Sequence, residues 1–116
     1  MTTSYRELVL TDDLAPRVPC DVSVVVVTHE SAADIVTCLA SLQQETRQDV
    51  EIIVVDNASR DGSADLVARE FPSVRLIRKS RRHGFATNIN IGATAASGRY
   101  VLILNPDTVV APGAID

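Results

Sequence analysis

A chain of 116 residues has the length of one domain, and with 46% hydrophobic and 22% charged residues it has the make-up of a soluble globular protein. That composition excludes disorder, collagen and a disulfide scaffold, and the net charge of −4 argues against a general nucleic-acid binder. The longest apolar runs, Val24–Val27 and Tyr100–Leu104, are far too short to span a bilayer, and Met1 to Cys20 lacks the pattern of a signal peptide, so a cytoplasmic location is expected.

Residues 1–20, with Pro16 and Pro19, read as an N-terminal arm, and residues 21–116 as the domain. Val22–Val27 is a β-branched run whose continuous apolar character fits a strand covered on both faces. Ser31 with Asp34 resembles a capping box, and Ile35, Cys38, Leu39 and Leu42 at helical spacing predict a helix over 32–44. Cys38 falls on that stripe and reads as a small core residue; with Cys20 it forms no metal pattern. Glu51–Val55 is a second strand ending at Asp56 and Asn57. Ala64–Phe71 is a short helix stopped by Pro72, and Val74–Ile77 a third strand. A basic cluster follows: Arg78, Lys79, Arg81, Arg82 and His83, either a solvated loop or a local anion site. Residues 85–97 predict an Ala-rich helix with Gly98 as its C-cap, and Tyr100–Leu104 a fourth strand. Pro112 fits the first position of another helix.

Strands alternating with helices make β-α-β units, hence a three-layer α/β/α domain with a mainly parallel sheet, in the expected strand order 3-2-1-4. Strand four expects cover and neighbours on both sides. We therefore expect the chain to be the N-terminal portion of a longer protein and, by itself, to form a homodimer through the strand-four edge. Ligands of open α/β sheets bind beyond the carboxyl ends of the strands. Those ends here are Thr28, His29 and Glu30; Asp56 and Asn57; Asn105 and Asp107. The chain has no GxGxxG, no GxxxxGK[ST], no GxSxG and no HExxH, which removes the familiar dinucleotide, P-loop, hydrolase and zinc readings.

Four segments in order, Val22–Ser31, Ile52–Ser63, Gly84–Gly92 and Arg99–Val110, together resemble the family 2 glycosyltransferases, including their rhamnosyltransferase-like members. The resemblance implies the GT-A fold and a nucleotide-sugar-binding role for residues 21–116. It implies that Thr28, His29 and Glu30 lie along the nucleotide, that Asp56 hydrogen-bonds the base with Asn57 and Asp61 in the turn beside it, and that Arg81 approaches from the basic loop. Gly84, Phe85, Asn90 and Gly92 match the pattern that opens the third helix. Asp107 matches the metal-binding acid of the DxD motif, with Asn105 in place of the first acid, which removes one negative charge from the site.

The reaction so implied is transfer of a sugar from a UDP- or dTDP-linked donor to an acceptor hydroxyl, with inversion, assisted by Mg²⁺ or Mn²⁺. The acceptor expected for the full protein is a glycan or lipid-linked glycan, worked on at the inner face of a membrane. No catalytic residue is expected in this chain, because the family's general base lies in the acceptor half, beyond Asp116. The chain alone is therefore expected to bind donor without transferring sugar. The alternative is a non-catalytic nucleotide-binding or interaction module of the same fold. A phosphoacceptor receiver domain is a poorer reading, since Thr28-His29-Glu30 supplies no acid pair. His29, Glu30, Asp61 and Asn90 also have purely structural readings, the two acids as supports for helix starts.

Overall fold

The structure is a computed structural model that describes residues 20–45 and 50–111. Most of the arm, and the helix start at Pro112, lie outside the described residues. The elements are β1 (Cys20–Thr28), α1 (Ala32–Glu45), β2 (Val50–Asp56), α2 (Ser63–Glu70), β3 (Arg75–Arg78), α3 (Phe85–Ala95) and β4 (Gly98–Leu104). They form a four-stranded sheet in the order β3-β2-β1-β4, as the sequence predicts. All three pairings are parallel, and β1 sits centrally with Val24 opposite both Ile52 and Leu102.

The β-branched runs are explained by a core on each face. Val24, Val26, Ile52 and Val54 pack with Ile35, Cys38, Leu39 and Leu42 of α1 and with Val67 and Phe71 of and beyond α2. The alternate residues Val25, Ile53, Val55 and Ile77 pack with Ile91 and Ala95 of α3 on the other face. Strand residues point alternately to the two faces, so a strand buried on both needs apolar residues at every position. Gly92 lets α3 approach closely: a Cβ there would lie 2.4 Å from Val25 Cγ1.

Three sequence expectations change. The third helix ends at Ala95 rather than 97, and Gly98 is the first residue of β4 rather than a C-cap. A Cβ on Gly98 would stand 2.6 Å from the backbone nitrogen of Ser23, so its side-chain-free state serves strand contact. The third is the capping box, which does not form: Ser31 Oγ donates to the carbonyl of His29, and the Asp34 amide donates to the Ser31 carbonyl.

The sheet rim away from the strand carboxyl ends is tied by a half-buried polar cluster. Glu51 accepts hydrogen bonds from Ser23 Oγ at 2.7 Å, from the Ser97 amide at 2.9 Å and from Arg75 Nη1 at 3.0 Å. Arg75 Nη1 also donates to the Ala95 carbonyl at 2.8 Å, and Ser23 Oγ accepts the Gly98 amide at 2.8 Å. The cluster thus joins all four strands to the end of α3. On the far edge β4 is open among the described residues, with Tyr100 65%, Val101 41% and Leu102 38% exposed.

Candidate functional site

The carboxyl ends of parallel strands share one rim, and the loops that leave β1 and β2 there are laced together. His29 Nδ1–H donates to the Asn57 carbonyl at 2.7 Å, which fixes the proton on Nδ1 and leaves Nε2 free of that bond. The Glu30 amide donates to Ser59 Oγ at 2.9 Å, and the Glu30 carboxylate in turn accepts the Arg60 amide. The Ser31 amide donates to Ser63 Oγ at 3.2 Å. Glu30 and Ala58, on opposite loops, both hold left-handed backbone, at φ of 52° and 56°. Non-glycine residues rarely adopt that conformation, and here the lacing supports it.

Asp61 joins the two helix starts. Its Oδ2 accepts the first amide of α1, from Ala32, at 3.0 Å, and its Oδ1 accepts the first amide of α2, from Ser63, at 3.0 Å together with the Ser63 hydroxyl. The structural reading of this acid is the one its contacts support. The Ser63 hydroxyl, followed by the Ala32 and Ser63 amides, holds the Asp61 carboxyl below its ordinary 3.8 against a smaller opposing effect of desolvation. A depressed carboxylate stabilises the fold above its unfolded pKa, and that contribution is lost as pH falls through the lower folded value. Asp61→Asn is accordingly expected to lower stability at neutral pH and to flatten the acid limb below about pH 4. Urea midpoints across pH 2–7 check this; parallel curves for the two proteins would contradict it.

Beneath the lacing lie two buried oxygens with no partner among the described residues. Thr28 and Asp56 are register neighbours at the ends of β1 and β2. Asp56 is 2% exposed, and its Oδ2 accepts the Ser59 amide at 3.0 Å. Its Oδ1 and the Oγ1 of the fully buried Thr28 have no hydrogen-bond partner among the described residues. Buried polar atoms are ordinarily satisfied, so this pair marks a place where a ligand or water donor is expected.

The groove above is lined by His29, Glu30, Ala58, Ser59, Arg60, Lys79, Ser80, Arg81 and Arg82, with a volume of about 670 Å³. Four cationic side chains against one acid suit an anion. Arg78, the first member of the basic cluster, instead pairs with Asp65 of α2. Asn57 holds the last member: its amide donates to the His83 carbonyl at 3.0 Å and accepts the His83 amide at 2.9 Å.

The structure therefore brings Thr28, His29, Glu30, Asp56, Asn57 and Arg81 to one place. Asn105 and Asp107 follow β4 on the same rim, both exposed and outside the groove lining. Cys38 Sγ lies 3.9 Å from the Asn105 carbonyl, and burial, with Asp107 adding its charge, pushes that thiol up to about 11. Asn90 is exposed on α3, where its carbonyl takes the Thr94 hydroxyl; the residue of this helix that turns into the basic loop is Asn88. Sequence reasoning missed Asn88, Arg60 and the burial of Lys79. The only advance signal was the density of basic residues around Lys79.

Among the described residues no three His, Cys, Asp or Glu side chains form a metal cluster. A lone exposed carboxylate such as Asp107 still suits Mg²⁺ or Mn²⁺, which commonly bind through one or two carboxylates with phosphate and water filling the remaining positions.

Comparison with known proteins gives a consistent picture. The profile of glycosyl transferase family 2 matches residues 23–116. The chain is 39% identical over 97 residues to the succinoglycan biosynthesis protein ExoO of Rhizobium meliloti, covering 83% of this chain and 28% of that protein. It is 31% identical over 104 residues to the N-acetylglucosaminyl-diphospho-decaprenol L-rhamnosyltransferase of Mycobacterium tuberculosis, covering 80% and 34%. Among solved structures, the mannosyltransferase PcManGT of Pyrobaculum calidifontis, in complex with GDP-Man and Mn²⁺, superposes with a TM-score of 0.70 at 27% identity, covering 91% of this chain and 37% of that one. TarS 1-349 of Staphylococcus aureus in complex with UDP superposes with a TM-score of 0.67 at 26% identity, covering 75% and 27%. The chain thus spans about a third of the length of these relatives.

Proposed function

Because the chain belongs to glycosyl transferase family 2, with the three-layer GT-A architecture of its structural neighbours, we propose that it is the donor-binding part of an inverting glycosyltransferase. The observation that carries this reading is the pair of unpartnered buried oxygens, Thr28 Oγ1 and Asp56 Oδ1, beside a cationic groove. A nucleobase supplies N–H donors for such acceptors, and a diphosphate supplies the anion for Arg60, Arg81 and Arg82. His29 Nε2 and the Glu30 side of the groove lie along the nucleotide between them. Asn57 shapes the basic loop, and Asn90 stands further along α3.

Asp107, with the Asn105 amide beside it, would hold the divalent metal. When bound, that metal neutralises charge on the leaving diphosphate. The protein's own residues do the rest: the laced loops fix the base pocket, and the arginines hold the diphosphate. Transfer also needs a base near the acceptor hydroxyl, and we assign none within the described residues. The neighbours with GDP-Man, UDP and UDP-GlcNAc support a nucleotide sugar as ligand. UDP- or dTDP-linked donors and a glycan or lipid-linked glycan acceptor remain our assignment for the whole protein. So does action in the cytoplasm at a membrane surface; no described helix is long and apolar enough to cross a membrane.

Calorimetric titration of the 116-residue chain with UDP and dTDP, with and without Mn²⁺, tests the reading. Binding that strengthens with Mn²⁺ is the expected result. Absence of binding by either nucleotide in both conditions would overturn it.

The open edge of β4 carries a second proposal: a copy of the chain pairs there about a two-fold axis. The unpaired backbone edge and the exposed Tyr100, Val101 and Leu102 supply a self-complementary surface. Sedimentation at micromolar concentration should give a dimer that Val101→Lys returns to monomer, and a monomeric parent chain would refute the pairing.

A further inference from the structure

Lys79 is an unusual residue in this rim. The residue is 9% exposed, yet among the described residues its ammonium has no carboxylate partner. Nζ donates to Asn88 Oδ1 at 2.8 Å and to Nδ1 of His83. Asn88, fully buried, also donates from Nδ2 to the His83 carbonyl at 3.3 Å. The Lys79 amide continues the sheet, donating to the Asp56 carbonyl at 3.0 Å. Both ends of the loop 79–83 are therefore clamped: Lys79 to β2 and α3, and His83 to Asn57, Asn88 and Lys79. The exposed residues between them, Ser80, Arg81 and Arg82, line the groove.

Burying an ammonium without a carboxylate is costly unless its hydrogen bonds are good. Here burial, with the charge of Arg81 adding to it, holds the Lys79 pKa below its ordinary 10.5. The fold thus keeps like charges close together where neutral amides alone would form a simpler loop. That arrangement is intelligible if the clamp serves what the arginines contact.

We propose that Lys79 is a positioning residue: acting through His83 and Asn88, it holds Arg81 on the groove, in place for a diphosphate. This rests on reading the groove as the nucleotide diphosphate site. Lys79 acts through the loop, so its loss and the loss of Arg81 should not add.

The test is a double-mutant cycle on the 116-residue chain, with UDP as probe and amide hydrogen exchange as an independent readout. Lys79→Met should weaken UDP by about tenfold, the scale of a lost hydrogen bond to a charged group. The double variant with Arg81→Met should bind about as weakly as Arg81→Met alone. The His83 amide should exchange faster in Lys79→Met while amides of β1 stay protected. Additive losses in the cycle, or a His83 amide as protected as in the parent, would overturn the proposal. A parent chain that does not bind UDP removes the groove reading; the His83 amide then still decides whether Lys79 holds the loop. A residue important only for stability would lower the melting temperature of Lys79→Met without the cycle's non-additivity.

Discussion

Asp56→Asn is expected to lower the affinity for UDP by about 10- to 100-fold, the scale of losing hydrogen bonds to a buried charged group, while leaving the fold in place. The two oxygens of this carboxylate have different roles. Oδ2 accepts the Ser59 amide and shapes the turn; Oδ1 is buried without a partner beside Thr28 Oγ1. An asparagine keeps one oxygen for the Ser59 amide. At the other position it presents an N–H, which opposes the N–H of a base. Asp56→Ala removes both functions, so its loss should be at least as large, and some of it would come from a loosened turn. Calorimetry with UDP gives the affinities, and a melting curve for each variant separates binding from folding. Unchanged UDP affinity in a folded Asp56→Asn would mean that this carboxylate does not read the base.

The largest effect on stability is expected from Glu51→Ala. Glu51 and Arg75 have side chains 11% and 13% exposed, with their nearest atoms 3.0 Å apart. Removing the acid takes the acceptor from Ser23 Oγ, from the Ser97 amide and from Arg75, and leaves a guanidinium buried beside the Ala95 carbonyl. Breaking a buried pair by removing one partner costs about 3–5 kcal/mol, against a total stability of roughly 5–15 kcal/mol for a domain. The double replacement Glu51→Leu with Arg75→Met removes both charges and should recover much of the loss. Urea unfolding of the three variants measures this. A Glu51→Ala protein within about 0.5 kcal/mol of its parent, the range of ordinary surface changes, would show the cluster to be incidental.

The two expectations differ in how visible they were beforehand. Asp56 stands out in the sequence, because a lone acid closing an apolar run marks the carboxyl end of a strand, and parallel strands end together. Glu51 is the second residue of the same strand and carried no comparable signal. Its partners Ser23, Arg75 and Ser97 lie 28, 24 and 46 residues away and meet it only once the strands are in register.

Local pattern by itself determined the elements, and their β-α-β alternation led to the expectation of parallel pairing in the order observed. Val24–Val27, Ile52–Val55 and the Ile35–Leu42 stripe state which faces must be buried, and those are relations between residues two to four apart. The right-handedness of crossovers then does the rest: β4 lies on the other side of β1, so α3 must cover the opposite face from α1 and α2. Tertiary structure alone decided how the rim is used. It gave Asp61 two helix starts to hold, left Asn90 outside and drew Asn88 in, turned Gly98 from a helix cap into a contact with Ser23, and buried Lys79 with no acid beside it among the described residues. The physical reason is distance along the chain. A periodic pattern reports which way a side chain faces within its own element, whereas a hydrogen bond or a close contact between loops depends on register and crossover geometry that no short stretch of residues encodes.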